Sequence, residues 1–178
     1  MIPRLVLFGC AVALMGCGEE KPKPKRASAP ELARFWSKED LAGAVSVAAA
    51  KAAAPKPKVV VEGRISAFVK GAAAFKLVDL SLPYCGSAPG KMDECPTPWD
   101  YCCENPDELA AKTLLVEARD ASGQPIPTAS VEGLRLLDLV AVEGELLTLE
   151  GGSVVLAATA WHRRERPQLR DGLDWPDE

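Results

Sequence analysis

The chain has 178 residues, 25 acidic and 21 basic, for a formal net charge of −4. That length suits one compact domain and is short for two. A composition of 48 % hydrophobic and 26 % charged residues excludes both a disordered chain and a polytopic membrane protein. A single histidine removes most zinc-hydrolase and histidine-dependent acid–base schemes.

Residues 1–16 read as a secretory signal and not as fold. Arg4 supplies the positive start, Leu5 to Met15 a short apolar run, and small residues follow. The run is too short to anchor stably across a bilayer. It ends Leu14-Met15-Gly16-Cys17, which resembles the lipobox of bacterial lipoproteins. The resemblance implies cleavage before Cys17 and acylation of Cys17, palmitate included, so that the membrane is the partner of the mature N-terminus. Plain secretion with an incidental cysteine is the alternative. Gly18 stands where an Asp would retain such a protein in the inner membrane. The expected destination is therefore the outer membrane, facing the periplasm or the cell surface.

Residues 17–36 read as a tether. Lys21-Pro22-Lys23-Pro24-Lys25 is extended and charged, with no apolar face to bury. Ser37 is placed to cap a helix whose first turn holds Glu39 and Asp40. The spacing of Leu41, Ala44, Val45 and Ala48 predicts that helix over about Lys38 to Ala53, and Pro55-Lys56-Pro57 stops it. Residues 37–57 are thus helix and linker.

From Val59 the apolar period becomes two. Five strands are predicted: Lys58–Ala67, Ala74–Leu82, Thr113–Arg119, Leu139–Leu149 and Ser153–Trp161, the last two joined by a hairpin at Gly151-Gly152. Pro127 to Leu137 leaves room for a short helix or helical turn. No long crossover helix follows any strand, so a parallel sheet is not expected. Residues 163–178 read as a polar C-terminal tail.

This order of five strands, with a helical element between the third and fourth, resembles the OB-fold barrel. Val60-Val61-Glu62-Gly63-Arg64-Ile65, Phe75-Lys76-Leu77-Val78-Asp79 and Asp138-Leu139-Val140-Ala141-Val142-Glu143-Gly144 resemble its first, second and fourth strands. The expectation is an all-β core: a five-stranded antiparallel OB-type barrel over residues 58–162, with the N-terminal helix packed outside it. The stretch Cys95-Pro96-Thr97-Pro98-Trp99-Asp100-Tyr101-Cys102-Cys103-Glu104 further resembles that of exported bacterial OB-fold lipoproteins of unsettled function. That likeness implies no activity.

The second and third strands are separated by an insertion, residues 83–112. A loop of this length in a compact domain needs an explanation. With Cys10 lost with the signal and Cys17 acylated, four cysteines remain, Cys85, Cys95, Cys102 and Cys103, in a chain sent to an oxidising compartment. Two structural disulfides are the first expectation, joining Cys85 and Cys95 to Cys102 and Cys103 in either connectivity. Neighbouring side chains diverge in extended backbone, so Cys102 and Cys103 would each take a separate partner. A four-thiolate site for zinc or copper is the second reading, weakened by the absence of a Cys-x2-Cys pair. A redox dithiol is the third. Near the end of the insertion, Asn105, Pro106 and Glu108 give a capping box and predict one helical turn over Asp107–Ala111.

Trp99 and Tyr101 lie between the cysteines. A short folded loop uses such residues as its local core, or else displays them as anchors for a partner such as another envelope protein, so both are partner-binding candidates. Asp93, Glu94 and Glu104 read as a solvated acidic rim. Residues 58–162 carry eight Lys and Arg against fifteen Asp and Glu, a formal −7, the wrong balance for phosphate backbones. Phe75 is the only aromatic on the second and third strands, too few for base-stacking platforms. Nucleic acid is not an expected partner.

No catalytic residue is assigned. His162 reads as a strand-end residue beside Arg163-Arg164, and Ser122 and Ser153 sit in turns without a Gly-x-Ser-x-Gly elbow. Glu143 and Glu145 share a strand face as part of an acidic surface. The expected function is a lipid-anchored envelope binding module without a cofactor, with a zinc- or copper-binding lipoprotein as the alternative.

Overall fold

The computed structural model describes residues 29–87, 95–128 and 131–168. The signal segment, Cys17 and most of the tether lie outside the described residues. The element order is α1 (Ala29–Ala33), β1 (Val45–Ser46), α2 (Val47–Ala52), β2 (Lys56–Phe68), β3 (Ala74–Val78), α3 (Pro106–Ala111), β4 (Thr113–Ala118), β5 (Leu139–Thr148) and β6 (Val154–Glu165).

Strands β2 to β6 close into a five-stranded barrel. β2 pairs with β3 and β5, β3 with β4, and β5 with β6, all antiparallel, while β4 and β6 are parallel. An all-antiparallel barrel was expected, and the parallel pair corrects it. Directions must alternate around an antiparallel ring, so a closed ring with an odd number of strands needs at least one parallel neighbour. The β5–β6 hairpin supplies it without a crossover helix, because β6 inserts between its hairpin partner and β4.

Alternation along the strands fills the interior. In β4 the residues Leu114, Val116 and Ala118 are buried while Thr113, Leu115 and Glu117 are only half-buried. Phe75, Leu77, Ile65 and Trp161 are fully enclosed. Two glycines permit close approach of strands. A Cβ on Gly63 would come within 2.5 Å of the Val78 carbonyl oxygen. One on Gly144 would collide with the Ala157 carbonyl, and there the β5–β6 register shifts by a bulge that bends the hairpin into the barrel.

The N-terminal segment departs from expectation. Residues 29–36, read as the end of the tether, form a strap on the barrel. Leu32 and Phe35 are each only 4 % exposed, and the Phe35 ring stacks on Trp161 at 4.9 Å and 15°. The backbone is stitched alongside β6, with Trp161 N–H donating to the Phe35 carbonyl at 2.7 Å and Ser37 N–H to the Trp161 carbonyl at 2.8 Å.

The helix expected from Lys38 begins only at Val47. Residues 38–44 are not helical, Gly43 takes a positive φ of 76°, and Val45–Ser46 pairs in parallel with Val61–Glu62. Ser37 turns its hydroxyl to the Glu39 carbonyl at 2.6 Å and caps nothing. The cap is Ser46, whose Oγ accepts from Ala49 N–H at 3.3 Å. Of the expected apolar stripe, Leu41, Ala44 and Val45 are half-buried and Ala48 is exposed; the helix buries Val47 and Ala50 instead.

The C-terminal tail also starts later than expected, since β6 runs to Glu165. Arg164 binds Asp40 at 2.8 Å and also pairs with Glu62. Arg166 grips the fully buried Asp138 through two bonds, of 2.8 and 2.7 Å. Among the described residues of 127–137 there are turns and no helix.

Candidate functional site

The insertion leaves the barrel at the end of β3. Asp79, 5 % exposed, accepts from Ser81 N–H and from Ala48 N–H, each at 3.0 Å, so one carboxylate joins the start of the insertion to the first turn of α2. Burial pushes the Asp79 carboxyl up. The backbone N–H bonds outweigh it and hold the pKa below its ordinary 3.8.

Two arms of the insertion then run together. Cys85 N–H donates to the Asp100 carbonyl at 2.8 Å and Gly86 N–H to the Pro98 carbonyl at 2.6 Å. Beneath them lies a second apolar cluster, separate from the barrel interior. Val78, Leu82, Tyr101 and Leu137 form it, with Tyr84, Trp99 and Leu109 packed against it. Tyr101 is 3 % exposed, and its phenol is pushed well above its ordinary pKa, chiefly by burial. It is a core residue, which corrects its reading as a partner-binding candidate. Trp99 is half-buried on the same cluster. Tyr84 was not singled out by the sequence; the Arg64 guanidinium sits 5.8 Å from its ring centre.

The insertion closes as expected at α3. Asn105 Oδ1 accepts from Asp107 N–H at 2.9 Å and Glu108 N–H at 3.2 Å, and Pro106 opens the helix. Glu108 pairs with Lys112 at 2.7 Å.

The cysteines do not follow the expected pairing. All four are free thiols, Cys102 and Cys103 exposed, Cys85 and Cys95 half-buried. The cause is local. Glu104 N–H donates to the Tyr101 carbonyl at 3.1 Å, so Cys102 and Cys103 are the two central residues of a turn and not part of an extended strand. Their side chains converge where extended backbone would have parted them. The Sγ atoms of Cys85, Cys102 and Cys103 all lie within 4.8 Å of one another, and Cys85 to Cys102 is 3.3 Å. That is a thiol–thiol contact, well beyond the roughly 2.05 Å of a disulfide. Cys95 contacts Thr97 Oγ1 at 3.9 Å and lies outside that triad.

The three thiols share their protons unequally. Partial burial pushes the Cys85 thiol up. Hydrogen bonds from the Cys102 thiol and from Cys103 outweigh that and lower its pKa. Cys102 is pushed up to about 12, first by its bond to Cys85, and Cys103 is raised for the same first reason. The three thiols titrate as a coupled set, the Cys85 proton held less tightly than those of Cys102 and Cys103.

His162 Nδ1 lies 3.2 Å from the Ser37 carbonyl, beside the strap. Ser122 N–H and Oγ both donate to Asp120 Oδ1 in a turn, at 2.8 and 2.6 Å. Ser153 is exposed in the β5–β6 turn, and Glu143 pairs with Lys58 at 3.0 Å. Glu104 is half-buried, and Asp93 and Glu94 lie outside the described residues.

The distinctive surface is thus a thiol-bearing turn set on its own small apolar base at one end of the barrel. No family model matches this chain, and no curated protein matches it in sequence.

Proposed function

We propose that the chain is a lipid-anchored envelope binding module, built on an OB-type barrel, whose binding element is the insertion 83–112. The observation that carries the reading is the second apolar cluster. A connection that merely joined two strands would need no core of its own. This one buries Tyr101 and Leu82 against Val78 and Leu137, with Trp99 and Tyr84 alongside, and so holds a defined surface in place.

The strand order β2-β3-β4-β6-β5, closed by β2–β5 and with its parallel β4–β6 pair, supports the OB-type assignment. The Leu14-Met15-Gly16-Cys17 sequence supports anchoring at Cys17, and with it a place on the outer membrane. Charge argues against nucleic acid, since residues 58–162 carry a formal −7. The outward positions of the β3–β4 pair hold Lys76, Leu115 and Glu117, which offer no stacking platform.

Two measurements test this. Cys17→Ala should release the chain from carbonate-washed membranes; if it stays bound and is still cleaved after Gly16, the anchor assignment is wrong. Affinity capture from envelope extracts should recover binding proteins with the intact chain and lose them with Trp99→Ala or with residues 84–104 replaced by a short Gly-Ser link. Equal recovery by all three chains, each with native far-UV dichroism, would refute the insertion as binding element.

A further inference from the structure

We infer that Cys85, Cys102 and Cys103 form a binding site for a thiophilic d10 metal cation, zinc or Cu(I), on the outer face of the insertion. The inference rests on the reading of the insertion as a binding element and gives that element a ligand.

The argument begins with spacing. Thiolates at about 2.3 Å from a tetrahedral zinc ion stand about 3.8 Å from each other. The three sulfurs here already lie within 4.8 Å of one another, with Cys85 and Cys102 at 3.3 Å. Small side-chain rotations convert that triangle into a coordination face.

The backbone fixes the triangle from both sides. Cys85 is held by its N–H bond to the Asp100 carbonyl, and the Cys102–Cys103 turn by the Glu104 N–H bond to the Tyr101 carbonyl. Tyr101, buried in the apolar base, anchors that turn to the barrel. The turn thus does the work of the Cys-x2-Cys pair that the sequence lacks, presenting two sulfurs from one local element.

Composition of the cluster also favours a cation over a disulfide. A disulfide would join Cys85 to one neighbour and leave the other to pair with Cys95, which lies outside the triad. A metal ion uses all three. Cys95 lies outside the triad, so the fourth position of a zinc ion is left to water or an added ligand. Soft sulfur ligands and the absence of a carboxylate or imidazole from the triad select zinc or Cu(I) over hard cations.

The binding step balances simply. Each S–H bond that becomes an S–metal bond releases its proton to solvent, so three ligands release up to three protons. No electron is transferred. Binding therefore tightens as pH rises.

The test uses the full chain, reduced and then freed of reductant without air. Zinc is titrated against a chromophoric chelator and Cu(I) against a Cu(I)-specific one, and Co(II) is added as a spectroscopic stand-in. The expected result is one equivalent of zinc or Cu(I) per chain, thiolate-to-cobalt charge-transfer bands, and protection of three thiols from alkylation. Cys85→Ser, Cys102→Ser and Cys103→Ser should each weaken binding by more than about 100-fold, beyond the roughly 10–100-fold carried by outer-shell partners. Cys95→Ser should weaken it less than any of these.

Absence of stoichiometric binding by the reduced chain overturns the inference. So does a chain isolated from its envelope with no alkylatable thiols under denaturing conditions. Each result is separable from failure of the binding-module reading. No metal binding by the reduced chain, with envelope proteins still captured and lost with Trp99→Ala, would sink the metal site and leave the module. Tight metal binding with unchanged capture by the insertion-replaced chain would do the reverse.

Discussion

Phe35→Ala tests the strap that the sequence placed in the tether. Phe35 is 4 % exposed, stacks on Trp161 at 4.9 Å, and sits beside the backbone bonds that tie the strap to β6. Truncating a buried Phe to Ala costs about 3–5 kcal/mol. The low end applies here, because a surface strap relaxes into the space more easily than a strand does. The loss is then about 3 kcal/mol, a large share of the roughly 5–15 kcal/mol that holds a domain folded. For a domain of this size that lowers Tm by about 10 °C. Leu41→Ala is the internal control. A helix over 38–53 would bury Leu41 and leave Phe35 in solvent, whereas the observed fold half-buries Leu41 outside any helix and predicts a loss under about 1 kcal/mol. Urea unfolding followed by tryptophan fluorescence ranks the two variants, at unchanged m-value. A Phe35→Ala loss below about 1 kcal/mol, or one no larger than that of Leu41→Ala, refutes the packed strap.

Two further stability predictions use the same assay. Arg166→Ala removes two bonds from the fully buried Asp138 carboxylate and should cost about 2–4 kcal/mol, the arginine being partly solvated; a loss under about 0.5 kcal/mol would show that the C-terminal latch is open in solution. Asp79 has a folded pKa below its ordinary 3.8, so its ionised form stabilises the fold above that value. The contribution disappears as pH falls from about 4 through the folded pKa. Asp79→Asn should therefore flatten the fall of the urea midpoint between about pH 5 and pH 2, and an unchanged slope would show that the carboxylate is not bonded as described.

The strands were legible because period-two alternation and a Gly-Gly turn are local signals. Their starts and ends fall within a few residues of expectation, as with Thr113 for β4 and Leu139 for β5. Strand direction was not local. Adding up five strands and a closed ring would have demanded a parallel pair, and that count was available from the sequence. The N-terminal helix was misplaced because alanine-rich periodicity continues through Ala44 and Val45, while Val61 and Glu62, distant in sequence, claim Val45 and Ser46 as a strand. Tertiary pairing overrode propensity. The strap left a trace in Leu32, Phe35 and Trp36, large apolar residues at helical spacing beyond the lysine–proline run. For the candidate site, the four cysteines and Trp99 were visible, and the cap at Asn105 was read correctly. The convergence of Cys102 and Cys103 was not, because it depends on one backbone bond, from Glu104 to Tyr101, that turns the chain between them.

The strap also gives the molecule a polarity. Arg34, one residue past α1, reaches the Arg119 carbonyl at 3.0 Å, just beyond the C-terminal end of β4, whereas the insertion enters at Thr113, the N-terminal end of that strand. Six residues of strand separate the two points, about 20 Å at roughly 3.4 Å per residue. Anything attached upstream of Ala29 therefore pulls on the floor of the barrel, and the thiol-bearing turn stands at its roof. The start of the strap and the thiol-bearing turn thus act from opposite ends of the barrel, so that strain applied at one reaches the other only through the length of the sheet.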